Sequence, residues 1–195
     1  VQAFLENPNY VNKFYNDRKK AMNNPSIKPN KGHQILSKVE KDWVGEFMLV
    51  TQNIDNLHEK AGSKKVFHMH GSLEKAYCMN CNCTEKLNFD LSTSYKCSNC
   101  GTIGKVRVDV VWFGEQPKYL DQIYNFLDKT DIFVSIGTSN NVYPAAGFID
   151  YLSKVKRKVN SYEFNIEKTN KSLFFKESII GPASFTLEEF FKDFF

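Results

Sequence analysis

The sequence FMLVTQNIDNLH, residues 47–58, passes from an apolar run directly into a polar one. Residues 47–50 are continuously apolar, which is typical of a short strand buried on both faces. Residues 54–60, closed by Gly62, then predict a short helix. A doubly buried strand that leads into a helix is the unit of parallel sheets, and ligands bind at the carboxyl ends of such strands.

The same alternation runs through the rest of the chain and predicts an α/β fold, a parallel sheet with helices on both faces. Asn7 and Pro8 predict the start of an amphipathic helix, and a capping-box pattern at Thr186 and Glu189 predicts the start of the last one. Further helices are predicted around residues 35–43, 120–127 and 144–154, and further strands at 66–69, 108–113, 132–136 and, as the last strand, 162–164.

Size and composition exclude several classes of protein. The chain has 195 residues and a net charge of +4, from 26 basic and 22 acidic residues spread along its length. This balance does not by itself indicate nucleic-acid binding. Its longest apolar stretches are far shorter than the roughly 20 residues of a membrane-spanning helix. Five cysteines are too few for a small disulfide scaffold, so we expect a reducing compartment, the cytoplasm.

Four cysteines form two CxxC pairs, and they lie where the alternation of strands and helices is interrupted. The pairs are Cys78 with Cys81 and Cys97 with Cys100, the spacing of a tetrahedral four-thiolate zinc site. Four thiolates leave no open coordination position, so the zinc would be structural. Two disulfides or four buried thiols are the alternatives, and Cys83 lies outside the pattern. Residues 73–106 are thus predicted to form an inserted module that the metal stabilises.

Polar residues follow three of the predicted strands. They are found at Gln52, Asn53 and Asp55, at Gly137-Thr138-Ser139, and at Asn165-Ile166-Glu167. Capping of the following helix is an equally good explanation for Asn53 and Asp55. Three polar strand ends in one chain nevertheless suggest a nucleotide crevice, because a small residue such as Gly137 lets backbone amides approach a phosphate or ribose.

Two histidines, His68 and His70, close the second strand. A histidine can move a proton near neutral pH, and His70, which a flexible glycine follows, is the better candidate for that role. A purely structural role is the alternative, and the sequence requires at most one of the two to be functional.

Taken in order, these motifs resemble the sirtuin family of NAD-dependent protein lysine deacylases. The resemblance rests on TQNIDNLH at 51–58, HG at 70–71, the cysteine pairs, VVWFGE at 110–115 and GTS at 137–139. It continues through residues 143–146, 165–167 and 181–183 and covers essentially the whole chain. It implies a Rossmann-like parallel sheet at 31–72 and 107–195 that binds NAD, a zinc module at 73–106, and a helical segment at 1–30 for acyl recognition.

The resemblance also implies roles for individual residues. In sirtuins the acyl oxygen of a modified lysine attacks the nicotinamide ribose of NAD, nicotinamide leaves, and the acyl group ends on ADP-ribose. His70 would be the general base that deprotonates a ribose hydroxyl. Val111, Phe113 and Gly114 would bind the peptide as an added strand, and Trp112 and Phe113 would wall the acyl-lysine tunnel. The residues that would contact NAD are Gln52, Asn53, Ile54, Asp55, Gly137, Thr138, Ser139, Asn165, Ile166, Glu167 and Ala183.

Tyr15 and Arg18 lie three residues apart, on one face of the first helix and within its apolar stripe. They resemble the Tyr-x-x-Arg pair with which one class of sirtuins, common in bacteria and also found in mitochondria, recognises the carboxylate of malonyl- or succinyl-lysine. A guanidinium can hold a carboxylate bidentately and a phenol can add a third hydrogen bond. A salt bridge of Arg18 is the alternative.

Two other interpretations compete with an active deacylase. A zinc-ribbon nucleic-acid-binding protein is suggested by the cysteine pairs and by the basic run at residues 154–158, which also fits a solvated helix end. A catalytically silent fragment is suggested because nothing matches the glycine-rich segment after the first strand of the family, so we expect that strand and loop to be missing in front of Val1. We otherwise expect a monomer whose partners are acylated lysines of proteins, with neither membrane nor nucleic acid bound.

Overall fold

A computed structural model describes residues 1–155 and 158–194, so Lys156 and Arg157 of the basic run lie outside the described residues. The helices are α1 (Gln2–Glu6), α2 (Pro8–Met22), α3 (Lys31–Asp42), α4 (Leu57–Lys60), α5 (Leu120–Leu127), α6 (Phe148–Leu152) and α7 (Ala183–Phe191). The strands are β1 (Leu49–Thr51), β2 (Val66–His68), β3 (Gly71–Cys78), β4 (Thr84–Lys86), β5 (Val106–Val110), β6 (Ile132–Ile136), β7 (Asn160–Asn165) and β8 (Glu177–Ile180). Short 3-10 turns follow at Ala145–Gly147, Ser172–Phe174 and Lys192–Phe194.

The strands form three sheets, and the predicted α/β class is confirmed. β1 pairs in parallel with β2, and β6, β7 and β8 form a parallel sheet in that order. The third sheet, in the order β4-β3-β5, is antiparallel. β5 was expected at residues 108–113 within the parallel sheet. It instead runs from Val106 to Val110 and pairs with β3; all five residues are buried, and Val106, Val108 and Val110 lie in the core around the cysteines.

The chain divides into two compact units. The first comprises Val1–Lys28, Leu49–Lys60 and Val66–Lys118, and its core joins α2 to the β3–β5 sheet through residues such as Met22, Leu73 and Val108. The second comprises Pro29–Met48, Ala61–Lys65 and Tyr119–Phe195. Its core packs α3 and α7 on β7, with Phe164 and Leu187 fully buried at its centre.

Local sequence explains where the longer helices begin. The Asn7 side chain accepts a hydrogen bond from the Tyr10 amide at 3.0 Å, with Pro8 as the first helical residue, which confirms the predicted start of α2. Asn30 caps α3 in the same way, through the His33 amide at 3.1 Å.

The end of the chain differs from the sequence prediction in two respects. The strand at 162–164 is not the last, since β8 follows it along the edge of the parallel sheet. The last helix does not begin at Thr186. It begins at Ala183 with Pro182 at the cap position, which places Thr186 inside the helix, where its hydroxyl lies 3.3 Å from the Pro182 carbonyl. In the described part of the chain, no helix is long and apolar enough to cross a membrane.

Gly71 begins β3 at a point where β5 passes very close. A Cβ built on Gly71 would lie 1.9 Å from the Asp109 carbonyl oxygen, and its φ of +81° is already in the left-handed region. Only glycine fits this position, because both the backbone conformation and the space exclude a side chain.

We expect Gly71→Ala to destabilise the protein by more than about 4 kcal/mol, since a backbone atom must move to admit the methyl group. Gly114→Ala is the matched control. Gly114 has a φ of +88° but nothing within 4 Å of the added Cβ. Its cost is limited to the left-handed conformation, about 1–2 kcal/mol. Urea unfolding of both variants measures the difference, and equal losses would show that the approach of β5 does not matter.

Candidate functional site

The predicted base, His70, lies in the turn that follows β2 and contacts the loop that follows β1. Its Nδ1 lies 3.2 Å from the Gln52 carbonyl oxygen. A carbonyl can only accept a hydrogen bond, so Nδ1 is the donor in this contact. The His70 carbonyl in turn accepts the Val111 amide at 2.9 Å. The backbone thus brings the predicted base beside the first residue of the predicted peptide-binding segment.

The loop after β1 is ordered by its own polar residues. Thr51 Oγ1 accepts the Asn53 amide at 3.1 Å, and Asp55 Oδ1 accepts the Leu57 amide at 3.0 Å, so Asp55 does cap α4. Ile54 packs against the core of the first unit, while the side chain of Asn53 remains exposed. The loop therefore has an apolar anchor and a polar surface.

Tyr15 and Trp112 meet although they are distant in sequence. The indole Nε1 of Trp112 donates to the Tyr15 hydroxyl at 2.8 Å, and the two rings stack with their centres 6.3 Å apart. Because the phenol oxygen accepts this bond, its own O–H is available to donate to another group. α2 thus presents a phenol whose orientation is fixed by the VVWFGE segment.

Trp112 is itself held by a buried ion pair. Glu115 accepts the Trp112 amide at 2.8 Å through one carboxylate oxygen and pairs with Arg107 Nη2 at 2.6 Å through the other. The Arg107 guanidinium also lies 4.0 Å from the centre of the Trp112 ring and donates to the Val110 carbonyl at 2.8 Å. A buried charge that is paired and hydrogen-bonded in this way rigidifies its surroundings.

Arg18, Phe113 and Gly114 are the exposed members of the predicted substrate site. The Arg18 guanidinium lies 4.2 Å from the centre of the Phe14 ring on the same helix. Among residues 1–155 and 158–194 no carboxylate forms an ion pair with Arg18, so the salt bridge considered as its alternative role is absent from the described chain. Phe113 is fully exposed, and Gly114 beside it has open space around its α carbon.

In the second unit, the carboxyl ends of neighbouring parallel strands lie together. The Gly137 amide donates to the Phe164 carbonyl at 2.8 Å, the Asn165 side-chain amide donates to the Thr138 carbonyl at 2.8 Å, and the Gly181 amide donates to the Asn165 carbonyl at 2.8 Å. Gly137 has a φ of +62° and nothing within 4 Å of an added Cβ. Ala183, two residues after Gly181, is the first residue of α7.

These strand ends form one side of a groove of about 340 Å³. Its lining residues are Ser139, Asn141, Asn165, Ile166, Glu167, Lys168, Thr169 and Asn170. Exposed hydroxyl, amide and charged groups of this kind suit a polar ligand such as the ribose or phosphate of a nucleotide.

A buried carboxylate supports the groove from beneath, and sequence reasoning missed it. Glu163 is 1% exposed and accepts hydrogen bonds from Asn140 Nδ2 at 2.8 Å, Thr169 Oγ1 at 2.6 Å and Ser178 Oγ at 2.8 Å, with Ser172 as a fourth donor. Burial raises the pKa of Glu163, but the hydrogen bonds outweigh it and hold the pKa below its usual value. No local pattern in β7 signals this network, because all four donors to Glu163 lie outside that strand.

The four paired cysteines come together as predicted, with all four sulfur atoms within 4.8 Å of one another. The sulfurs of Cys78 and Cys100 are 3.7 Å apart and those of Cys81 and Cys97 are 3.8 Å apart. A Zn–S bond of about 2.3 Å places two thiolates of a tetrahedron about 3.8 Å apart. The residues therefore fit a tetrahedral zinc ion and form no disulfide.

The two CxxC turns are built alike and support each other. In each turn the first cysteine accepts the amide of the residue four positions later, Asn82 or Gly101, and both of these have a left-handed backbone. Asn80 of the first turn donates to Cys100 Sγ at 3.5 Å, and Asn99 of the second donates to Cys81 Sγ at 3.5 Å. Such donors favour the thiolate that zinc requires.

The pKa values of the thiols follow their surroundings. Contacts with the hydroxyl and backbone of Thr102, then with Asn80, lower the pKa of Cys100 to about 5. Burial raises the pKa of Cys78 to about 11. The fifth thiol, Cys83, lies 3.5 Å from Cys97 Sγ, and its neighbours Cys81 and Cys97 raise its pKa to about 12.

Comparison with known proteins agrees with this architecture. A family model described as the Sir2 family matches residues 1–144. The chain belongs to the Sir2 family. This confirms the resemblance to sirtuins drawn from the TQNIDNLH, HG, CxxC and VVWFGE motifs.

Its Sir2 relatives match over most of their own length. An NAD-dependent protein deacylase of Bdellovibrio bacteriovorus is 46% identical over 193 residues, which are 99% of this chain and 80% of the relative. An NAD-dependent protein deacylase SIR2rp3 of Leishmania major is 45% identical over 185 residues, 93% of this chain and 75% of the relative.

Solved Sir2 structures share the fold. A Sir2 homologue in complex with NAD is 33% identical, with a TM-score of 0.86. The match covers 100% of this chain and 75% of the homologue's chain. A Sir2 structure with a bound acetylated peptide is 25% identical, with a TM-score of 0.80. The match covers 99% of this chain and 81% of that Sir2 chain.

We expect the zinc site to depend on the four clustered thiols and not on the fifth. Cys100→Ser should abolish stable zinc binding, because three thiolates and a hydroxyl hold zinc far less tightly than four thiolates. Cys83→Ser, the matched control, should retain one zinc per chain. Elemental analysis of the purified variants measures the metal content. Zinc loss in Cys83→Ser with retention in Cys100→Ser would contradict the ligand assignment.

Proposed function

We propose that this Sir2 family chain is an NAD-dependent protein lysine deacylase that prefers acidic acyl groups, succinyl or malonyl, over acetyl. The observation that carries the preference is Arg18, an exposed guanidinium on the same helix face as the Tyr15 phenol. No described carboxylate neutralises Arg18, so its charge is available to a ligand. The names of the relatives, NAD-dependent protein deacylases, support the general activity.

The chemistry of the acyl group follows from the two side chains. A succinyl or malonyl carboxylate would accept two hydrogen bonds from Arg18 and a third from the Tyr15 hydroxyl, whose orientation Trp112 sets. An acetyl group ends in a methyl and offers no partner to either residue. The fixed phenol lowers the entropy that must be lost when the acyl chain binds.

The remaining roles follow the family resemblance. The Nε2 lone pair of His70 would take the proton of a ribose hydroxyl, and Val111 and Gly114 would align the peptide as an added strand beside Trp112 and Phe113. When bound, NAD supplies the ribose that accepts the acyl group. Its contacts would come from Gln52, Asn53, Ile54, Asp55, Gly137, Thr138, Ser139, Asn165, Ile166, Glu167 and Ala183.

The proposal includes a division of labour along the chain. Residues 1–30 would read the acyl group, residues 31–72 and 107–195 would bind NAD, and residues 73–106 would hold the structural zinc. Because thiolate zinc sites persist in reducing surroundings, we place the enzyme in the cytoplasm, acting as a monomer on acylated proteins.

The overall activity is tested by nicotinamide release from NAD in the presence of a succinylated lysine peptide. An active deacylase releases one nicotinamide for each acyl group removed. A silent Sir2 fragment, the second candidate, folds and holds zinc but releases none. This single assay therefore separates the two candidates.

Arg18→Met should lower kcat/KM for a succinyl-lysine peptide by about 10- to 100-fold, because a hydrogen bond to a charged group contributes about 1.5–3 kcal/mol. Activity on the acetylated form of the same peptide should change less than about threefold. Lys13→Met removes the same charge from an exposed site on the same helix, where Lys13 pairs with Asp17, and should affect neither substrate. Equal losses on both peptides in Arg18→Met would refute the carboxylate role.

His70→Ala should lower kcat on both peptides by about 10²- to 10⁴-fold, the usual contribution of a general base. The loss should be independent of the acyl group, in contrast to Arg18→Met. Circular dichroism and zinc content should match the unsubstituted protein, since the described hydrogen bond of the His70 side chain is made with a single carbonyl oxygen. A variant that folds and retains full turnover would exclude His70 as the base.

A further inference from the structure

Two histidines, not one, contact the loop that follows β1. His70 Nδ1 lies 3.2 Å from the Gln52 carbonyl oxygen, and His68 Nδ1 lies 3.1 Å from the carbonyl oxygen of the next residue, Asn53. Two successive carbonyls of the loop are thus held by two side chains from the end of β2. The sequence requires at most one of these histidines to be functional, and His70 is the better candidate, so the contact made by His68 needs its own explanation.

The two rings differ at their other nitrogen. His68 Nε2 lies 2.7 Å from Glu59 Oε1, on the α4 helix, and the His68 side chain is only 12% exposed. Its two hydrogen-bond partners, a carbonyl and a carboxylate, are both acceptors, so both ring nitrogens donate and the ring is an imidazolium. His70 Nδ1 has one such acceptor, the Gln52 carbonyl.

The charges around His68 favour this form. Burial of the ring is the largest influence and lowers the pKa of His68, but the hydrogen bonds to Glu59 and to the Asn53 carbonyl outweigh it and raise the pKa above its usual value, against an opposing charge on Lys75. The pKa of Glu59 is lowered, because its contacts with His68 and the charge of His58 outweigh its own burial.

We propose that His68, kept as an imidazolium by Glu59, is a positioning residue that fixes the Asn53 carbonyl and with it the loop at residues 52–55 in the conformation that receives the nicotinamide ribose of NAD. This inference rests on the proposed function, since it takes that loop as part of the cofactor site. His68 touches neither cofactor nor substrate and acts through the backbone of Asn53.

The contact makes cofactor binding depend on pH. Because the pKa of His68 is raised in the folded chain, its stabilisation is complete below the ordinary histidine pKa and is lost as the pH rises through the raised value. Glu59 limits the acid side, where its contribution is lost as the pH falls through its lowered pKa. Between these two pH limits the ion pair of His68 and Glu59 holds the loop. Above the alkaline limit His68 is neutral, and the Asn53 carbonyl has at most a neutral hydrogen-bond donor.

The protonation state is tested directly on the unsubstituted protein by nitrogen-15 NMR of the histidine rings. At pH 6.5 both nitrogens of His68 should carry protons. A neutral His68 ring at pH 6.5 would overturn the proposal whatever the protein does with NAD.

The role in cofactor binding is tested by calorimetry with carba-NAD, an analogue whose glycosidic bond is not cleaved, between pH 6.5 and 9. The unsubstituted protein should bind about tenfold more weakly at the alkaline end. Glu59→Gln should bind about tenfold more weakly at pH 6.5 and show little further change with pH. Glu6→Gln, which alters an exposed glutamate that pairs with Gln2 on α1, is the matched control and should follow the unsubstituted protein.

His68→Gln and His68→Ala separate positioning from folding. A glutamine amide can still donate to the Asn53 carbonyl without a charge, so His68→Gln should bind carba-NAD more tightly than His68→Ala, and neither should show the pH dependence. Unchanged pH dependence in either variant would overturn the positioning role. Absence of carba-NAD binding by the unsubstituted protein at every pH would instead overturn the proposed function and the cofactor part of this inference, while the NMR result would still decide the charge on His68.

Discussion

The close approach of β3 and β5 at Gly71 is the constraint on which the first unit depends. A glycine without a side chain lets the Asp109 carbonyl come within 1.9 Å of where a Cβ would lie, and the two strands can then pair from this point to the cysteines. The residue before Gly71 is His70, and its carbonyl holds the Val111 amide. One backbone contact therefore determines the positions of both His70, the proposed base, and Val111, the start of the proposed peptide-binding segment.

From this contact the structure extends in two directions. At the other end of β3, Cys78 opens the zinc site, whose reciprocal Asn80 and Asn99 contacts join two turns that have little apolar surface of their own. A metal can supply the stability that so small a module cannot obtain from its core. A zinc ion bound there would stabilise the sheet whose strand β3 directly follows His70.

Much of the fold was predictable because its signals are local. The start of α2 at Asn7 and Pro8, the bounds of α5 and β6, and the cluster of four cysteines all follow from residues within a few positions of one another. β3 and β8 were missed since neither has an uninterrupted apolar pattern: β3 contains a bulge between Ser72 and Ala76, and the residues of β8 are exposed or half-buried.

Contacts between distant residues account for what sequence reasoning missed in the site. The hydrogen bond of Trp112 to Tyr15 spans 97 positions and that of Asn53 to His68 spans 15, and no periodicity encodes either. The hydroxyls around Glu163 are similarly contributed by segments that only the sheet brings together. The Sir2 motifs single out His70, whereas only the geometry shows that both ring nitrogens of His68 face acceptors.

Arg18 and Arg107 show how burial gives two arginine side chains different roles. Arg107 is 5% exposed, paired with Glu115 and stacked on Trp112, so its charge is already satisfied and it serves to hold the aromatic ring. Arg18 is exposed, and its described contact is the face of Phe14, which orients a guanidinium without neutralising it. A carboxylate that enters beside Tyr15 would therefore interact with Arg18 and not with Arg107. Specificity for an acidic acyl group requires that difference, because an arginine already paired in the free protein would have to break its own ion pair before it could bind the substrate.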